Sequence, residues 1–307
     1  MSTNSDINHN NKIINKLPKK IRRFLILARF DRPTGYMLLW IPTLWGLLAS
    51  ALNKNIIFQD IIFYIILFLI GSIVMRGAGC TWNDITDIKY DKKVARTFAR
   101  PIANGDITKR QAFIFLIIQL SIGATILLFL PINSIIVAII SIIPVIIYPF
   151  MKRFTYYPQA WLGLTFNWGI WVGWFVFSND NLIIPLLLHI AGIFWTLSYD
   201  TIYAHQDKND DILIGVKSTA LKFGNFTKLF LSIFYTIFII IFYIVIKLLS
   251  SEIISLIPIF ICIPLIIYYT YILDINNPKN CLKIFKYNTY IGLSLIHISE
   301  PTRLDHI

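Results

Sequence analysis

The chain has 307 residues, of which 56% are hydrophobic and only 14% are charged, and its mean hydropathy is +0.67. Apolar runs of about 20 residues recur along it, and each is long enough to cross a bilayer as a helix. This composition excludes an ordinary soluble domain and predicts a polytopic helical membrane protein. The net charge of +12 does not predict nucleic-acid binding, because the basic residues lie between the apolar runs.

The predicted elements begin with a polar, disordered tail over residues 1–20. A basic amphipathic stretch from Ile21 to Arg32 follows, and we expect it to lie on the membrane surface. The predicted fold class is an all-α polytopic membrane protein with nine transmembrane helices. These helices lie near residues 36–52, 57–81, 109–130, 133–151, 159–178, 182–206, 228–248, 253–273 and 287–299.

Positive charge alternates with the predicted helices. Most of the 28 Lys and Arg residues lie in the N-terminal stretch and in every second loop, whereas Lys54 and Lys247 lie on the opposite side. Because cytoplasmic loops carry an excess of Lys and Arg, we expect the N-terminus and the basic loops to be cytoplasmic.

The first of two acidic motifs ends the second predicted helix and lies on the basic side. It reads Asn83-Asp84-x-x-Asp87-x-x-x-Asp91. If the helix continues through it, one face carries Arg76, Asn83, Asp87 and Asp91, with Asp84 beside Asp87. Arg76 lies inside an apolar helix, so we expect it to pair with a nearby carboxylate or to bind an anionic substrate group.

The second acidic motif ends the sixth predicted helix, on the same side. Its residues at helical spacing are Asp200, Tyr203, Asp207 and Asp211, with Asp210 beside them. Carboxylates gathered in a low dielectric repel one another unless cations lie between them, and Mg²⁺ is commonly held by a few carboxylates plus substrate phosphates. The alternative for any single aspartate is an ordinary solvated surface charge.

Basic residues near both motifs are candidates for phosphate contacts, since arginine matches phosphate with its fork of donors. They are Lys93, Arg96, Arg100, Lys152, Arg153 and Lys217. His205, beside the second motif, is either a proton acceptor or a hydrogen-bonded bystander.

Longer segments around both motifs form a family pattern. They are Asp31-Arg-Pro-Thr-Gly, Arg76-Gly-Ala-Gly-Cys-Thr-Trp-Asn-Asp-Ile-Thr-Asp, Arg96-Thr-Phe-Ala-Arg-Pro, Tyr148-Pro-Phe-Met-Lys-Arg-Phe-Thr, Tyr199-Asp-Thr-Ile-Tyr-Ala-His-Gln-Asp-Lys-Asn-Asp-Asp and Ile214-Gly-Val-Lys-Ser-Thr-Ala. Over roughly residues 22–292 the chain resembles the UbiA superfamily of intramembrane prenyltransferases. The second motif is similar to that of the branch that prenylates 4-hydroxybenzoate in ubiquinone biosynthesis.

The resemblance implies a nine-helix bundle around a cavity open to lipid, which binds a polyprenyl diphosphate, 4-hydroxybenzoate and Mg²⁺. The implied magnesium ligands are Asn83, Asp84, Asp87, Asp91, Asp207 and Asp211. The implied catalytic residues are Asp84, Asp87, Asp200, Asp207 and Asp211. The implied substrate contacts are Arg76, Asn83, Lys93, Arg96, Arg100, Lys152, Arg153, Tyr203 and Lys217.

The implied reaction transfers the polyprenyl group to the ring carbon ortho to the phenol. The allylic C–O bond ionises, dry apolar walls keep water from the carbocation, and Asp200 or the departing diphosphate takes the ring proton. The alternatives are a cation-coupled transporter and a sister prenyltransferase with another acceptor. Both acidic motifs at one membrane face argue against the transporter, whose site is expected near the midplane.

The last segment departs from the pattern. Leu293-Ser-Leu-Ile-His-Ile-Ser-Glu-Pro-Thr-Arg303 resembles a translated sequencing adapter, so the ninth helix is expected to be truncated. We divide the chain into the tail over 1–20, a prenyltransferase membrane domain over 21–292 and an adapter-derived artefact over 293–307. The expected location is a bacterial inner membrane, with both acidic motifs cytoplasmic.

Overall fold

The computed structural model describes residues 7, 12–94 and 96–296. Within them the chain is helical and has no β-strand, which confirms the predicted all-α fold class. Seven of the described helices are long and apolar enough to cross a membrane, so the chain is an integral membrane protein. They are Thr34–Asn53, Phe58–Thr86, Lys109–Leu127, Ile132–Phe154, Ile183–Ala204, Thr219–Leu249 and Ile254–Ile272.

Shorter helices lie before, between and after these spans. They are Lys12–Asn15, Lys19–Leu27, Ile88–Asp91, Pro158–Phe166, Gly169–Trp174, Lys208–Ile214 and Pro278–Ser294. Half of the predicted polar tail over 1–20, namely residues 1–6 and 8–11, lies outside the described residues, as do residues 297–307 of the predicted artefact.

Two of the nine predicted transmembrane helices differ from the prediction. The fifth, over 159–178, is two short helices separated at Asn167 and Trp168. The ninth begins earlier than predicted, as the helix Pro278–Ser294, and the described residues end at Ile296.

The break in the fifth segment is built around Asn167, which is fully buried. Its side-chain Nδ2 donates to the carbonyl of Gly163 at 2.8 Å and to the hydroxyl of Thr196 at 2.9 Å. His189 Nδ1 lies 3.1 Å from the Asn167 carbonyl, and it must carry the proton because a carbonyl only accepts. These bonds give partners to backbone carbonyls and to the amide Nδ2 at the break, as polar groups inside a membrane protein require.

The described residues form two compact units. The described residues up to 37 and those within 69–129 belong to the first unit, and the described residues within 38–68 and from 130 to 296 belong to the second. The first acidic motif therefore lies in the first unit and the second acidic motif in the second.

A close helix contact positions the first acidic motif within its unit. A Cβ on Gly77 would lie 2.5 Å from Gln119 Nε2 and 3.1 Å from the Cβ of Ala28. The Thr81 hydroxyl contacts both the Gly77 carbonyl at 2.9 Å and Gln119 Oε1 at 3.1 Å. The helix that carries the motif is thus fixed against Lys109–Leu127 and against the segment that follows Lys19–Leu27.

An aromatic core positions the second acidic motif. Trp195, on the helix that ends at this motif, lies 5.0 Å from the ring of Trp45 and 5.0 Å from that of Tyr199. Phe242 lies 4.9 Å from Trp45, and all four rings are almost completely buried. Such a packed core holds the helix in one register up to its polar end.

Candidate active site

The first acidic motif contains three buried carboxylates. The exposed fraction is 1% for Asp84, 0% for Asp87 and 6% for Asp91. The helix ends at Thr86, but Asp87 N donates to the Asn83 carbonyl and Asp91 N to the Asp87 carbonyl, both at 2.9 Å. The i to i+4 spacing of the predicted face is therefore kept across the helix end.

Two arginines neutralise this motif. Arg29 Nη2 donates to both carboxylate oxygens of Asp84, at 2.8 and 2.9 Å. Arg100 Nη1 donates to Asp84 Oδ1 at 3.2 Å and to both oxygens of Asp91 at 3.0 Å. A carboxylate removed from water needs such partners, because breaking a buried pair by deleting one member costs about 3–5 kcal/mol.

Arg29 is the residue of this site that sequence reasoning missed, since it was grouped with the surface stretch. It follows the helix Lys19–Leu27, and its φ of 60° lies in the left-handed region. Arg29 N donates to the Ile26 carbonyl and Phe30 N to the Leu25 carbonyl, both at 3.0 Å. This bonding is a Schellman helix end, at a position where glycine is usual. The sequence signal for this helix end was Pro33, because helices usually end at or before the residue that precedes a proline.

Arg76 lies on the same helix as Asp84, two turns earlier, and is half-buried. Its side chain passes directly over Gly35: a Cβ there would lie 2.8 Å from Nε and 3.4 Å from Nη2 of Arg76. The Asp31-Arg-Pro-Thr-Gly segment thus leaves room for the guanidinium that was predicted to bind a substrate anion.

The other predicted residues of the first unit differ in exposure. Asn83 and Arg96 are half-buried, whereas Lys93 is exposed. Thr97 is buried and its hydroxyl donates to the Asp91 carbonyl at 3.0 Å, which anchors the loop that carries Arg96 and Arg100.

The second acidic motif does not form the single helical stripe that the spacing predicted. The helix Ile183–Ala204 ends before Asp207, the chain turns over residues 205–207, and a second helix, Lys208–Ile214, begins. Asp207 occupies the N-cap of that helix, and Asp210 and Asp211 lie in its first turn, where the helix dipole favours negative charge. Together with Asp200, these aspartates are half-buried.

Three predicted phosphate contacts are gathered in the second unit. Lys217 N donates to the Lys152 carbonyl at 2.9 Å, and its Nζ donates to the Phe154 carbonyl at 3.3 Å. The guanidinium of Arg153, next to Lys152, lies 4.9 Å from the ring of Phe150. The basic pair Lys152–Arg153 therefore lies beside the loop that carries Lys217.

Hydrogen bonds join that loop to the second acidic motif. Thr219 N donates to Gln159 Oε1 at 3.1 Å, and the hydroxyls of Thr219 and Thr201 lie 2.7 Å apart. Thr201 follows Asp200, so the segment from Lys217 to Thr219 is held against the helix that carries Asp200. Tyr203, one turn further, packs its ring 4.7 Å from that of Phe285.

His205 is hydrogen-bonded through Nε2, whereas its buried Nδ1 has no hydrogen-bond partner among the described residues. The Thr227 hydroxyl donates to the Gly224 carbonyl at 2.7 Å, so it accepts from His205 Nε2 at 2.9 Å. Burial, aided by the charge of Lys208, lowers the pKa of His205 from 6.5 to about 4. A group with that pKa is a poor base at neutral pH.

The residues of the first motif fit a hard divalent cation. Carboxylate and amide oxygens are the ligands that Mg²⁺ prefers, and buried carboxylates demand a positive partner. Within the described residues, no three His, Cys, Asp or Glu side chains converge on one point to hold an ion. Asp84 and Asp91 instead direct their oxygens at guanidinium groups.

The chain matches the UbiA prenyltransferase family over residues 39–291. It is 42% identical to the mitochondrial 4-hydroxybenzoate polyprenyltransferase of Homo sapiens, over 92% of this chain and 75% of that protein. It is 41% identical to the protein of the same name from Dictyostelium discoideum, over 96% of this chain and 63% of that protein.

Two solved structures share the fold. The apo structure of a UbiA homolog from Aeropyrum pernix K1 has a TM-score of 0.68 at 19% identity, covering 88% of this chain and 98% of that one. A UbiA homolog from Archaeoglobus fulgidus bound to GPP and Mg²⁺ has a TM-score of 0.61 at 19% identity, covering 89% of this chain and 99% of that one.

Proposed function

Because the chain belongs to the UbiA prenyltransferase family, we propose that it transfers a polyprenyl group from polyprenyl diphosphate to 4-hydroxybenzoate, with Mg²⁺, in ubiquinone biosynthesis. The names of these relatives support this acceptor over those of sister enzymes. The observation that carries the proposal is the first acidic motif, where Asp84, Asp87 and Asp91 are buried in an integral membrane protein. Carboxylates placed there have a function or a partner.

The acidic residues are proposed to bind the metal-diphosphate part of the substrate. In the first motif the ligands are Asn83, Asp84 and Asp87, with Asp91 in support. In the second they are Asp207 and Asp211, with Asp200 and Asp210 nearby. Bound Mg²⁺ acts as a Lewis acid on the leaving diphosphate.

The basic residues are proposed to meet the remaining diphosphate charge. Lys152, Arg153 and Lys217 are supported by their proximity to one another, and Tyr203 lies on the neighbouring helix. Lys93, Arg96 and Arg100 follow the first motif in sequence. Fixed cations of this kind stabilise charge that develops on a leaving group.

Arg76 is proposed to bind the carboxylate of the aromatic acceptor, since a guanidinium matches a carboxylate with two parallel donors. Gly35 supports this role, because it leaves space for the guanidinium. Asp200 or the departing diphosphate removes the ring proton, and the low pKa of His205, about 4, argues against that histidine.

The proposed orientation places the N-terminus and both acidic motifs on one side of the membrane, as the distribution of Lys and Arg indicates. The expected bacterial inner membrane is not supported, because the relatives reported above are named as mitochondrial proteins. We therefore propose a membrane of mitochondrial type as the location.

The test is prenyl transfer in membranes that contain the full chain, supplied with 4-hydroxybenzoate, a polyprenyl diphosphate and Mg²⁺. Mass spectrometry should detect the prenylated acid. Asp84→Asn and Asp207→Asn should each lower the rate by at least about 10²-fold, since each removes a carboxylate that would hold the Mg²⁺ needed to stabilise the leaving diphosphate.

Asp180→Asn is the matched control, because Asp180 is exposed and its carboxylate accepts from Lys54, Ser178 and Asn53, none of which is proposed to act in the site. Its rate should stay unchanged. Full activity of both Asp84→Asn and Asp207→Asn, or no prenylated acid from the wild-type chain, would contradict the proposal. Cation flux without prenyl transfer would favour a transporter instead.

A further inference from the structure

We propose that Arg29 is a positioning residue that acts as an internal counter-ion: its guanidinium occupies the cation position of Asp84 and would compete there with Mg²⁺. The inference rests on the proposed magnesium site and adds a residue to it. It predicts that the end of the surface helix Lys19–Leu27 responds to metal loading.

The backbone of Arg29 adopts a conformation that is unfavourable for an arginine. Its φ of 60° lies where side chains other than glycine are rare, and the hydrogen bonds around it form a Schellman helix end. Glycine would close the same helix end without strain. An arginine at this position is therefore explained by its side chain, and that side chain reaches Asp84.

The side chain of Arg29 contacts both carboxylate oxygens of Asp84. One nitrogen, Nη2 of Arg29, lies 2.8 and 2.9 Å from the two carboxylate oxygens. A donor equidistant from both oxygens lies on the axis of the carboxylate, where a chelated cation would also lie. Arg29 and a metal ion bound by both oxygens of Asp84 are therefore mutually exclusive.

Burial makes this competition strong. Arg29 is 8% exposed and Asp84 is 1% exposed, so water screens their interaction little. A guanidinium that stayed in place would also repel a second cation at the same carboxylate. By satisfying Asp84, Arg29 would lower the apparent affinity of this carboxylate for Mg²⁺.

Arg100 bonds two aspartates of the motif, whereas the bonds of Arg29 described above go to Asp84. It donates to both oxygens of Asp91 at 3.0 Å and to one oxygen of Asp84 at 3.2 Å. When Arg29 is removed, Arg100 still partners both aspartates, so the motif is not left without positive charge.

The experiment titrates the purified full-length chain in detergent with MgCl₂ alone and follows the thermal unfolding temperature, with ionic strength held constant. Arg29→Gly removes the guanidinium but favours the left-handed backbone, so the helix end should persist. We expect its magnesium midpoint to be about tenfold lower than that of the wild type. Arg29→Lys keeps the charge without the planar fork, so its magnesium midpoint should lie between those of Arg29→Gly and the wild type. This variant tests the inference if Arg29→Gly does not fold.

Arg23→Met is the matched control on the same surface helix, because Arg23 donates to the Asp106 carbonyl at 2.7 Å and not to the acidic motif. Its magnesium midpoint should equal that of the wild type. An unchanged or higher midpoint in both Arg29 variants would overturn the inference while leaving the magnesium site intact. A wild-type chain that shows no response to MgCl₂ would overturn the magnesium site itself, and the inference with it.

Discussion

The contact between Gly35 and Arg76 gives a sharp prediction about acceptor binding. A Cβ on Gly35 would lie 2.8 Å from Nε of Arg76, and ordinary van der Waals contact begins near 3.4 Å. Gly35→Ala must therefore displace the guanidinium by about 0.6 Å, and a displacement of about 1 Å in an active site can cost about 10²-fold in rate. We expect kcat/KM for 4-hydroxybenzoate to fall about tenfold, equivalent to about 1.4 kcal/mol of transition-state stabilisation.

The stability of the variant should not fall, because alanine is favoured over glycine inside a helix by about 0.5–1 kcal/mol. Steady-state kinetics with each substrate varied in turn would separate the acceptor from the polyprenyl diphosphate, whose KM should change little. Gly79→Ala is the matched control, since it lies on the helix of Arg76 and an added Cβ would meet nothing within 4 Å. In an Arg76→Ala background, Gly35→Ala should have no further effect. An equal loss for both substrates, or none, would refute the role assigned to Arg76.

Two further predictions concern pH and topology. The folded-state pKa of His205, about 4, lies below its ordinary value of 6.5, so its contribution to stability is present above pH 6.5 and lost as pH falls toward 4. The unfolding temperature of His205→Gln should fall less steeply over that range than that of the wild type, and parallel curves would contradict the assignment. For topology, cysteines introduced at the exposed residues Asn104 and Asn209 should react with a membrane-impermeant thiol reagent from one side, and one at Asn179 from the other. The native cysteines are buried and provide a low background, whereas labelling of all three sites from one side would contradict the orientation.

The sequence predicted most spans because a helix in lipid must be long and apolar, and both properties can be read residue by residue. It did not predict the break at Asn167, because hydropathy averages over a window and does not reveal that one buried amide bonds Thr196 across to another helix. It also could not show the turn before Asp207, since residues at helical spacing look alike whether or not the helix is interrupted between them. The identity of the acidic residues was predictable, but their orientation depends on tertiary contacts.

Arg29 shows most clearly what sequence patterns leave undetermined. Counting charges groups it with the other basic residues of the N-terminal stretch, whereas its partner, Asp84, is 55 residues away in sequence. The left-handed backbone that directs Arg29 toward Asp84 follows from where the surface helix ends. Only the assembled unit distinguishes this buried arginine from Arg22, Arg23 and Arg32, which are half-buried.

Arg100 was predicted to contact the diphosphate, yet the structure shows it bonded to Asp84 and Asp91. The two roles are compatible because charge must stay balanced in a site with little water. When the carboxylates give up their guanidinium partners to a cation, the freed arginines need an anion, and the substrate supplies one in its diphosphate. Arginine suits this exchange better than lysine, since a guanidinium keeps its charge when buried and matches carboxylate and phosphate with the same fork of donors. Arginines that neutralise the carboxylates can therefore turn to the diphosphate when a cation takes their place, without a step that leaves a buried charge unpaired.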